Sequence, residues 1–433
     1  MKKILFLSYY WPPSGGPGVQ RALKFVKYLP KFDISPTLIT VDENKASYPL
    51  IDHSLSNEVS SELKVVRTNS FEPLSFYKKL NKKKEIPYSG FVNMDKNTIF
   101  QKISRFIRGN FFIPDARVGW VNYAFKAALK EIESQDLKTI VSTSPPHSTQ
   151  LVGLKLKEKT GLPWIADLRD PWTDIFFYKD FYHLPYAKRM DKKYERQVLE
   201  NADQIVVTSQ ATKDLYLTKS SKLYADKIHV IPNGFDELDF EKAISFSKDE
   251  FLITYSGTIA DQYHIGELIK AIAMLRKKYV DFPIKFNFVG KVSEGIRRKL
   301  SENELIDICE FVGYVSHAES IDYLLKSSIL LIVTPKIKNN EGIVPGKIFE
   351  YLASRKPIIF IGPENCNVSE FISECEAGNT FDYENVEVAN YLEQLLLQWK
   401  SNPNLNLTSE TYKKYSRRAL TQQFSEIIKK IGL

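Results

Sequence analysis

Short apolar runs alternate with amphipathic segments along this 433-residue chain. Runs of β-branched and aromatic residues predict buried strands, and the segments between them repeat apolar residues at helical spacing. This alternation predicts βαβ units with parallel sheets. We predict strands at Lys3–Ser8, Thr37–Val41, Thr139–Ser142, Trp164–Asp167, Gln204–Thr208 and His229–Ile231, and again at Phe251–Ser256, Ile284–Val289, Glu310–Val312, Ile329–Thr334 and Pro357–Ile361.

The series of strands begins twice, which indicates two domains. A turn at Asn233-Gly234 closes the first series, and we place the boundary near residue 240. The length agrees, because single cores stop growing at about 250–300 residues. We therefore predict an α/β protein of two tandem Rossmann-like, doubly wound domains that face each other across a cleft. They are residues 1–240 and 241–408, and the helical tail 409–433 is a candidate to pack back on the first domain.

Composition and the first residues place the chain among cytoplasmic globular proteins. Hydrophobic residues make up 43% and charged residues 26%, which is typical of a folded domain. The start, MKKILFLSYYWPP, resembles a signal peptide, but its apolar run breaks at Ser8 without a cleavage site, so we interpret it as a strand. We expect no transmembrane helix, because no apolar run is long enough. Cys309, Cys366 and Cys375 lack metal-site spacing and fit a reducing compartment.

The net charge of +8 is concentrated in residues 72–112, where nine Lys/Arg stand against three acidic residues. Phenylalanines are interleaved with these cations, which makes the window a candidate for peripheral contact with an anionic membrane. A solvated loop followed by a packing helix is the alternative, and both interpretations stay open. Nucleic acid is a weaker option, because no recognised binding module accompanies the charge.

A glycine-rich loop joins the first strand to its helix. Gly15, Gly16 and Gly18 leave backbone amides and a helix N-terminus without bulky side chains in front, which suits an anion. The loop is not GxGxxG, and Pro17 removes one amide donor, so NAD binding is not favoured. We predict a loop that faces the acceptor or a phosphate, and a tight turn at the edge of the domain is the alternative.

Two further strand ends in the first domain carry polar side chains. SPPH places His147 after one strand, and DLRDPW places Arg169 and Asp170 after the next. Open α/β sheets bind ligands at the carboxyl ends of their strands, so we predict catalytic roles for His147 and Asp170 and acceptor or phosphate binding for Arg169. The alternative is structural: a packed histidine and an Arg–Asp pair that holds the loop.

The second domain carries a phosphate-binding pattern. Gly257 and Thr258 end its first strand and allow a diphosphate to approach the backbone. In VPGKIFEYLA, Gly346 leaves helix N-terminal amides bare and Lys347 supplies a cation. Glu350 lies three residues later on the same helix face and can accept two ribose hydroxyls. A solvated Lys–Glu pair is the alternative, but it does not explain the Pro-Gly entrance.

Together GGPG, SPPH, DLRDPW, IPNGFD, YSGT and PGKIFEYLASRKPI resemble the retaining glycosyltransferase family 4, whose type B fold has two Rossmann-like domains. The likeness covers nearly the whole chain. It implies that the first domain binds the acceptor and the second the nucleotide-sugar donor, and it places His147 beside the transferred sugar. In that family two glutamates are separated by seven residues. Glu350 matches the second, which holds the nucleotide ribose. The first, which lies by the donor sugar, is displaced here to Glu341, with Gly342 at the matching position, and we assign Glu341 a catalytic role on this resemblance.

The resemblance implies a hexosyltransferase-type enzyme that moves a sugar from a nucleotide-diphosphate sugar with retention. A lipid-linked saccharide in lipopolysaccharide, capsule or exopolysaccharide assembly is the expected acceptor. We expect no cofactor and no obligatory metal, because no DxD pair stands at a strand end. One alternative is a nucleotide-sugar 2-epimerase of the same fold. Another is a non-catalytic sugar-nucleotide-binding subunit, since Thr258 stands where the family commonly has arginine and Glu341 is displaced.

Overall fold

The computed structural model describes residues 1–72, 99–175, 177–241, 248–280, 282–337 and 340–431. The chain divides into two compact units. Unit 1 contains Met1–Pro232 together with Arg417–Leu433, and unit 2 contains Asn233–Ser416. Most of the basic window 72–112 lies outside the described residues.

Unit 1 is built on a parallel sheet of seven strands in the order β3-β2-β1-β4-β5-β6-β7. Its strands are β1 (Lys2–Leu7), β2 (Ile34–Val41), β3 (Lys64–Thr68), β4 (Thr139–Ser144), β5 (Trp164–Leu168), β6 (Gln204–Val207) and β7 (Ile228–Val230). Its helices are α1 (Pro17–Tyr28), α2 (Ile99–Phe111), α3 (Val121–Gln135), α4 (Ser148–Thr160), α5 (Pro185–Asn201) and α6 (Gln210–Leu217), and it takes in α13 (Arg417–Lys430) from beyond unit 2.

Unit 2 is built on a parallel sheet of six strands in the order β10-β9-β8-β11-β12-β13. The strands are β8 (Phe251–Ser256), β9 (Ile284–Val289), β10 (Cys309–Phe311), β11 (Ile329–Val333), β12 (Ile358–Ile361) and β13 (Gly378–Phe381). The helices are α7 (Gly266–Lys278), α8 (Glu294–Glu302), α9 (His317–Lys326), α10 (Lys347–Ser354), α11 (Asn367–Glu374) and α12 (Val388–Ser401). The prediction of two parallel-sheet Rossmann-like domains is confirmed.

Buried apolar side chains cover both faces of each sheet. In unit 1, β1 has Ile4 and Phe6 on one face and Leu5 and Leu7 on the other, and all four side chains are buried. Continuous burial of this kind is expected of a parallel sheet that is covered by helices on both sides. The polar ends of the strands are therefore the parts of each sheet left for binding a ligand.

Helix α13 completes the layer of helices beside α1. The aromatic rings of Phe25 and Phe424 stack with their centroids 4.7 Å apart. Leu420 and Ile428 lie in the same buried cluster, and the Lys2 Nζ donates a hydrogen bond to the carbonyl oxygen of Ile428 at 2.6 Å. The last helix is thus an integral part of the core of unit 1.

Two further features of the structure concern membrane spans and cysteines. Across the described ranges, no helix has the length and apolar character needed to cross a lipid bilayer. All three cysteines are free thiols, and Cys366 and Cys375 are buried.

Candidate functional site

Lys347 lies at the start of α10, next to the end of β8. Its Nζ donates a hydrogen bond to the carbonyl oxygen of Ser256 at 2.7 Å and lies 3.6 Å from the ring centroid of Tyr255. Burial disfavours the charged ammonium and lowers the pKa of Lys347 to about 7, while the charge of Glu350 acts in the opposite direction. An anion bound here would restore the proton, so the side chain is suited to respond to a diphosphate.

Two glycines let the ends of β8 and β9 approach closely beside Lys347. Gly257 has φ +109° and Gly290 has φ +136°, and a Cβ on Gly290 would lie 2.2 Å from the carbonyl oxygen of Gly257. A Cβ on Gly257 would lie 3.7 Å from the Nζ of Lys347. Gly257 and Lys347 are thus adjacent in space. Gly257 has no side chain that would block a phosphate from reaching the Lys347 Nζ.

Thr258 and Gly346 frame the same place. Thr258 is exposed, and its carbonyl oxygen accepts a hydrogen bond from the Tyr255 hydroxyl at 2.9 Å. Gly346 is the N-cap of α10, and a Cβ there would meet no atom within 4 Å. The N-terminus of α10 is therefore open to a ligand, and its amides and positive dipole end favour an anion.

Gly290→Ala is expected to destabilise unit 2 by about 2 kcal/mol or more and to weaken nucleotide binding, because alanine disfavours this backbone conformation and its Cβ would displace Gly257. Urea unfolding and nucleotide titration would measure the two effects. Gly266→Ala is the matched control, since Gly266 has open space around its Cβ position. Equal stability of the two variants would contradict the close approach of the strand ends.

Glu350 lies in a short chain of ionisable groups. The Nδ1 of His317 is 3.8 Å from the Oε1 of Glu350, and its Nε2 is 3.1 Å from the Oδ2 of Asp239. All three side chains are partly exposed, so Glu350 is restrained by a neighbour yet remains accessible. A carboxylate held in this way can accept hydrogen bonds from a diol such as ribose.

Glu341 is exposed and follows an anchored asparagine. The Asn340 side chain is buried and donates hydrogen bonds to the carbonyl oxygen of Pro335 at 2.9 Å and to the Tyr383 hydroxyl at 2.7 Å. The carbonyl oxygen of Glu341 accepts from the Asn367 amide at 3.4 Å. The backbone of Glu341 is thus fixed on both sides, while its carboxylate faces solvent.

In unit 1, the first acid of DLRDPW is a structural residue. Asp167 forms a bidentate ion pair with Arg21 of α1, with an Nη2–Oδ1 distance of 2.8 Å, and both side chains are only 1% exposed. The Arg21 Nη1 also donates to the carbonyl oxygen of Pro232, and the Thr143 hydroxyl donates to Asp167. Asp167 thus pairs with Arg21 and not with Arg169, and the Arg–Asp pair within the motif is the one between Arg169 and Asp170.

Arg169 connects the glycine loop with Asp170. A Cβ on Gly18 would lie 2.2 Å from the Arg169 Nη1, so the guanidinium rests against the first turn of α1. Its Nη2 is 3.1 Å from the Oδ2 of Asp170. Gly16 caps α1 with φ +100°, and the Gly15 amide donates to the carbonyl oxygen of Leu50. The loop therefore brings a helix N-terminus and a cation together, an arrangement that attracts anions.

His147 is held flat against an aromatic ring and is uncharged at neutral pH. Its imidazole stacks on Trp172 with centroids 4.4 Å apart, and its Nδ1 is buried without a hydrogen-bond partner among the described residues. Burial lowers the pKa of His147 to about 4, although Asp115 and Asp170 oppose the shift. A neutral imidazole with such a low pKa is a weak base, and it is better suited to a hydrogen bond with a hydroxyl group.

Neighbouring elements fix this histidine in place. The Ser148 amide and hydroxyl both donate to the Asp115 carboxylate at 2.8 Å, which anchors the first turn of α4. The Trp172 Nε1 donates to the buried carboxylate of Asp191 at 2.8 Å. His147, Arg169 and Asp170 are therefore grouped at one edge of the unit 1 sheet.

Several of these residues carry no sequence pattern that would identify them. Arg21, Asp115 and Asp191 stand in helices or loops far along the chain from the motifs they support. His317 lies at an ordinary helix start. Gly290 could have been found, because it follows a strand as Gly257 does. Within the described ranges there is no group of three or more residues suited to a metal, and independence from metal stays a prediction.

Two family models match the sequence. Residues 91–237 match Glycosyltransferase Family 4, and residues 236–418 match Glycosyl transferases group 1. The chain belongs to the glycosyltransferases. Among curated proteins no sequence gives a significant match to this glycosyltransferase.

Solved structures resemble this glycosyltransferase in fold. Sucrose-phosphate synthase from Thermosynechococcus elongatus has 15% identity and a TM-score of 0.60, covering 100% of this chain and 99% of its own. Anabaena HepE, solved with UDP-glucose, has 14% identity and a TM-score of 0.59, covering 99% and 100%. A UDP-N-acetylglucosamine 2-epimerase homologue from Listeria monocytogenes has 10% identity and a TM-score of 0.54, covering 99% and 96%. Likeness at this identity concerns the fold alone.

Proposed function

We propose that this glycosyltransferase is a hexosyltransferase that moves a sugar from a nucleotide-diphosphate sugar to a saccharide acceptor, with retention. The observation that carries the proposal is the group formed by Lys347, Gly257 and Glu350 in unit 2. A cation beside a bare backbone turn suits a diphosphate, and a carboxylate one helical turn away suits a ribose diol. A neighbour that was solved with UDP-glucose supports the class of donor.

The proposed chemistry is mainly electrostatic. As the glycosidic bond to the diphosphate breaks, negative charge grows on the leaving oxygen, and Lys347 together with the amides of α10 would stabilise it. Retention without a protein nucleophile implies attack by the acceptor hydroxyl from the face that the diphosphate leaves. The acceptor proton then passes to a diphosphate oxygen. His147 would donate or accept a hydrogen bond at a sugar hydroxyl, as its lowered pKa favours.

For the acceptor we propose a lipid-linked saccharide of surface-polysaccharide assembly, reached from the inner face of the cytoplasmic membrane. Two observations support this part of the proposal: the acceptor that the resemblance to the family implies, and the basic, aromatic composition of residues 72–112. Glu341, Asp170, Arg169 and the glycine loop remain our candidates for contacts with the transferred sugar or the acceptor.

A thermal-shift screen of UDP-, GDP- and ADP-sugars and their free nucleotides tests the donor site. A ligand at a hundred times its Kd should stabilise the folded chain by about 2.7 kcal/mol. We expect one nucleotide series to raise the Tm, Glu350→Ala to abolish the shift for nucleotide and nucleotide sugar alike, and Glu341→Ala to remove only the increment due to the sugar. Glu384→Ala, at an acid that is 82% exposed in the same unit, should change nothing.

The alternatives give different results in the same experiment. A 2-epimerase would convert its nucleotide sugar without any acceptor, which NMR of the donor detects directly. A binding subunit would bind the nucleotide but turn over no donor with any acceptor. No shift with any nucleotide would remove the main support for the transferase.

A further inference from the structure

Helix α2 turns its apolar side to solvent. At helical spacing Ile103, Phe106, Ile107 and Phe111 lie on one side, with exposed fractions of 51%, 36%, 41% and 72%. A surface helix of a globular domain normally buries this stripe against its own core. In α2 the stripe is exposed, so the helix presents apolar area that the described residues of unit 1 leave uncovered.

The C-terminal end of α2, at Gly109 and Asn110, is the part that contacts the neighbouring segment of unit 1. A Cβ on Gly109 would lie 2.6 Å from the carbonyl oxygen of Phe181, so the helix backbone contacts the segment before α5. The Asn110 side chain donates to the carbonyl oxygen of Tyr182 at 3.1 Å and accepts from the Leu184 amide at 2.6 Å. These two hydrogen bonds hold the end of α2 and residues 182–184 as one surface.

That neighbouring segment adds exposed apolar side chains of its own. Tyr182, Leu184 and Tyr186 are 45%, 49% and 69% exposed. Tyrosine combines an apolar ring with a polar hydroxyl and is favoured at the level of lipid headgroups. We call the side chains of Ile103, Phe106, Ile107, Phe111, Tyr182, Leu184 and Tyr186 the apolar face.

Exposed cations lie in the same two segments as the apolar face. Helix α2 contains three basic residues and no acid, and Lys102 is exposed beside the stripe. Lys179, Lys188 and Arg189 are exposed on the adjoining segment, where Asp180 is the single acid between residues 179 and 190. Exposed aromatic and aliphatic side chains ringed by Lys and Arg are typical of protein surfaces that lie in the interface of an anionic bilayer.

We infer that the apolar face of α2 and the Tyr182–Tyr186 segment docks unit 1 on an anionic lipid bilayer. This deepens the proposed function, on which it rests for its purpose, because a lipid-linked acceptor is presented at such a surface. It also assigns membrane contact to named side chains, including the 182–186 segment, which the basic window 72–112 does not contain. A second copy of the chain is a less suitable partner, because pairing this face with itself would bring like charges together.

Vesicle co-sedimentation of the full chain tests the inference. We expect binding to vesicles of phosphatidylcholine with 30% phosphatidylglycerol, and about tenfold weaker binding to phosphatidylcholine alone or in high salt. Ile107→Ser with Phe111→Ser, and separately Lys102→Glu with Lys188→Glu, should each weaken binding by about tenfold. Met274→Ser is the matched control, since Met274 is 64% exposed on unit 2, and it should bind as the unchanged chain does.

The outcomes separate this inference from the proposed function. Suppose that the unchanged chain binds vesicles, that both double variants lose this binding, and that no nucleotide raises the Tm. This result would support membrane docking through the apolar face and refute the proposed donor site. If the chain binds a nucleotide but no vesicle, the inference of membrane docking is overturned while the proposed function stands. Vesicle binding that both double variants retain would also overturn the inference and leave the proposed function untouched. Size-exclusion chromatography of the same variants would reveal a dimer if the face instead covers a second copy, and a dimer that the serine variant dissociates would also overturn it.

Discussion

Lys347→Met is expected to lower kcat/KM for sugar transfer by about a hundredfold or more, because a preorganised cation at the leaving group stabilises the transition state. Affinity for the donor should also lose its pH dependence. Burial lowers the pKa of free Lys347 to about 7, and a bound diphosphate would raise it again. Binding by the unchanged protein should therefore take up a proton above pH 7 and weaken as the pH rises.

Titration calorimetry of a nucleotide sugar in buffers of different ionisation enthalpy measures this proton uptake. A nucleotide sugar is the right probe, because its diphosphate has no protonation step near neutral pH. Lys336→Met is the control, because Lys336 is paired with Glu384 at 2.6 Å on the surface of the same unit. Proton uptake that persists in Lys347→Met would show that another group titrates.

Asp167→Asn is expected to destabilise unit 1 by about 3–5 kcal/mol, because it leaves the buried guanidinium of Arg21 without a counter-charge. Arg21→Met should have a similar effect, because it leaves the buried carboxylate of Asp167 without a counter-charge. Tryptophan fluorescence during urea unfolding is a selective measurement, because Trp11, Trp120, Trp164 and Trp172, four of the five tryptophans, lie in unit 1.

An exposed ion pair serves as the comparison for Asp167. Arg196 is 64% exposed and contacts Glu200 at 2.8 Å, so Arg196→Met should cost less than about 1 kcal/mol. If Asp167→Asn and Arg196→Met unfolded at the same urea concentration, the buried pair would not hold unit 1 together.

The central strands of both sheets could be predicted from sequence because they are rich in β-branched and apolar residues. β8 and β9 begin and end at the predicted residues. β3 and β13 were missed, and both lie at the edge of a sheet. The sequence of β3, KVVRT, is mostly exposed or half-exposed, and that of β13, GNTF, contains a single large apolar residue. An edge strand needs less burial, so its apolar pattern is weaker.

The residues of the candidate site could be predicted where a motif with suitable side chains stands directly at a strand end or a helix start. The Pro-Gly-Lys sequence at the start of α10 predicts a helix N-terminus suited to phosphate. In the structure Lys347 and Gly257 are adjacent. The partner of Asp167 was not predictable, because Arg21 is 146 residues away and only the folded sheet brings α1 over the end of β5. The environment of His147 depends likewise on Trp172 and Asp115, whose positions follow from tertiary packing.

The place of α13 in unit 1 sets the order in which the protein can fold during its synthesis. Domains usually fold as they leave the ribosome, with the N-terminal one first. Here the helix that stacks Phe424 on Phe25 is translated only after the whole of unit 2. Unit 2 can be complete while α1 still exposes the apolar surface that α13 will cover. The first domain of the chain is thus the last to be finished, and in the interval its uncovered surface is open to chaperones.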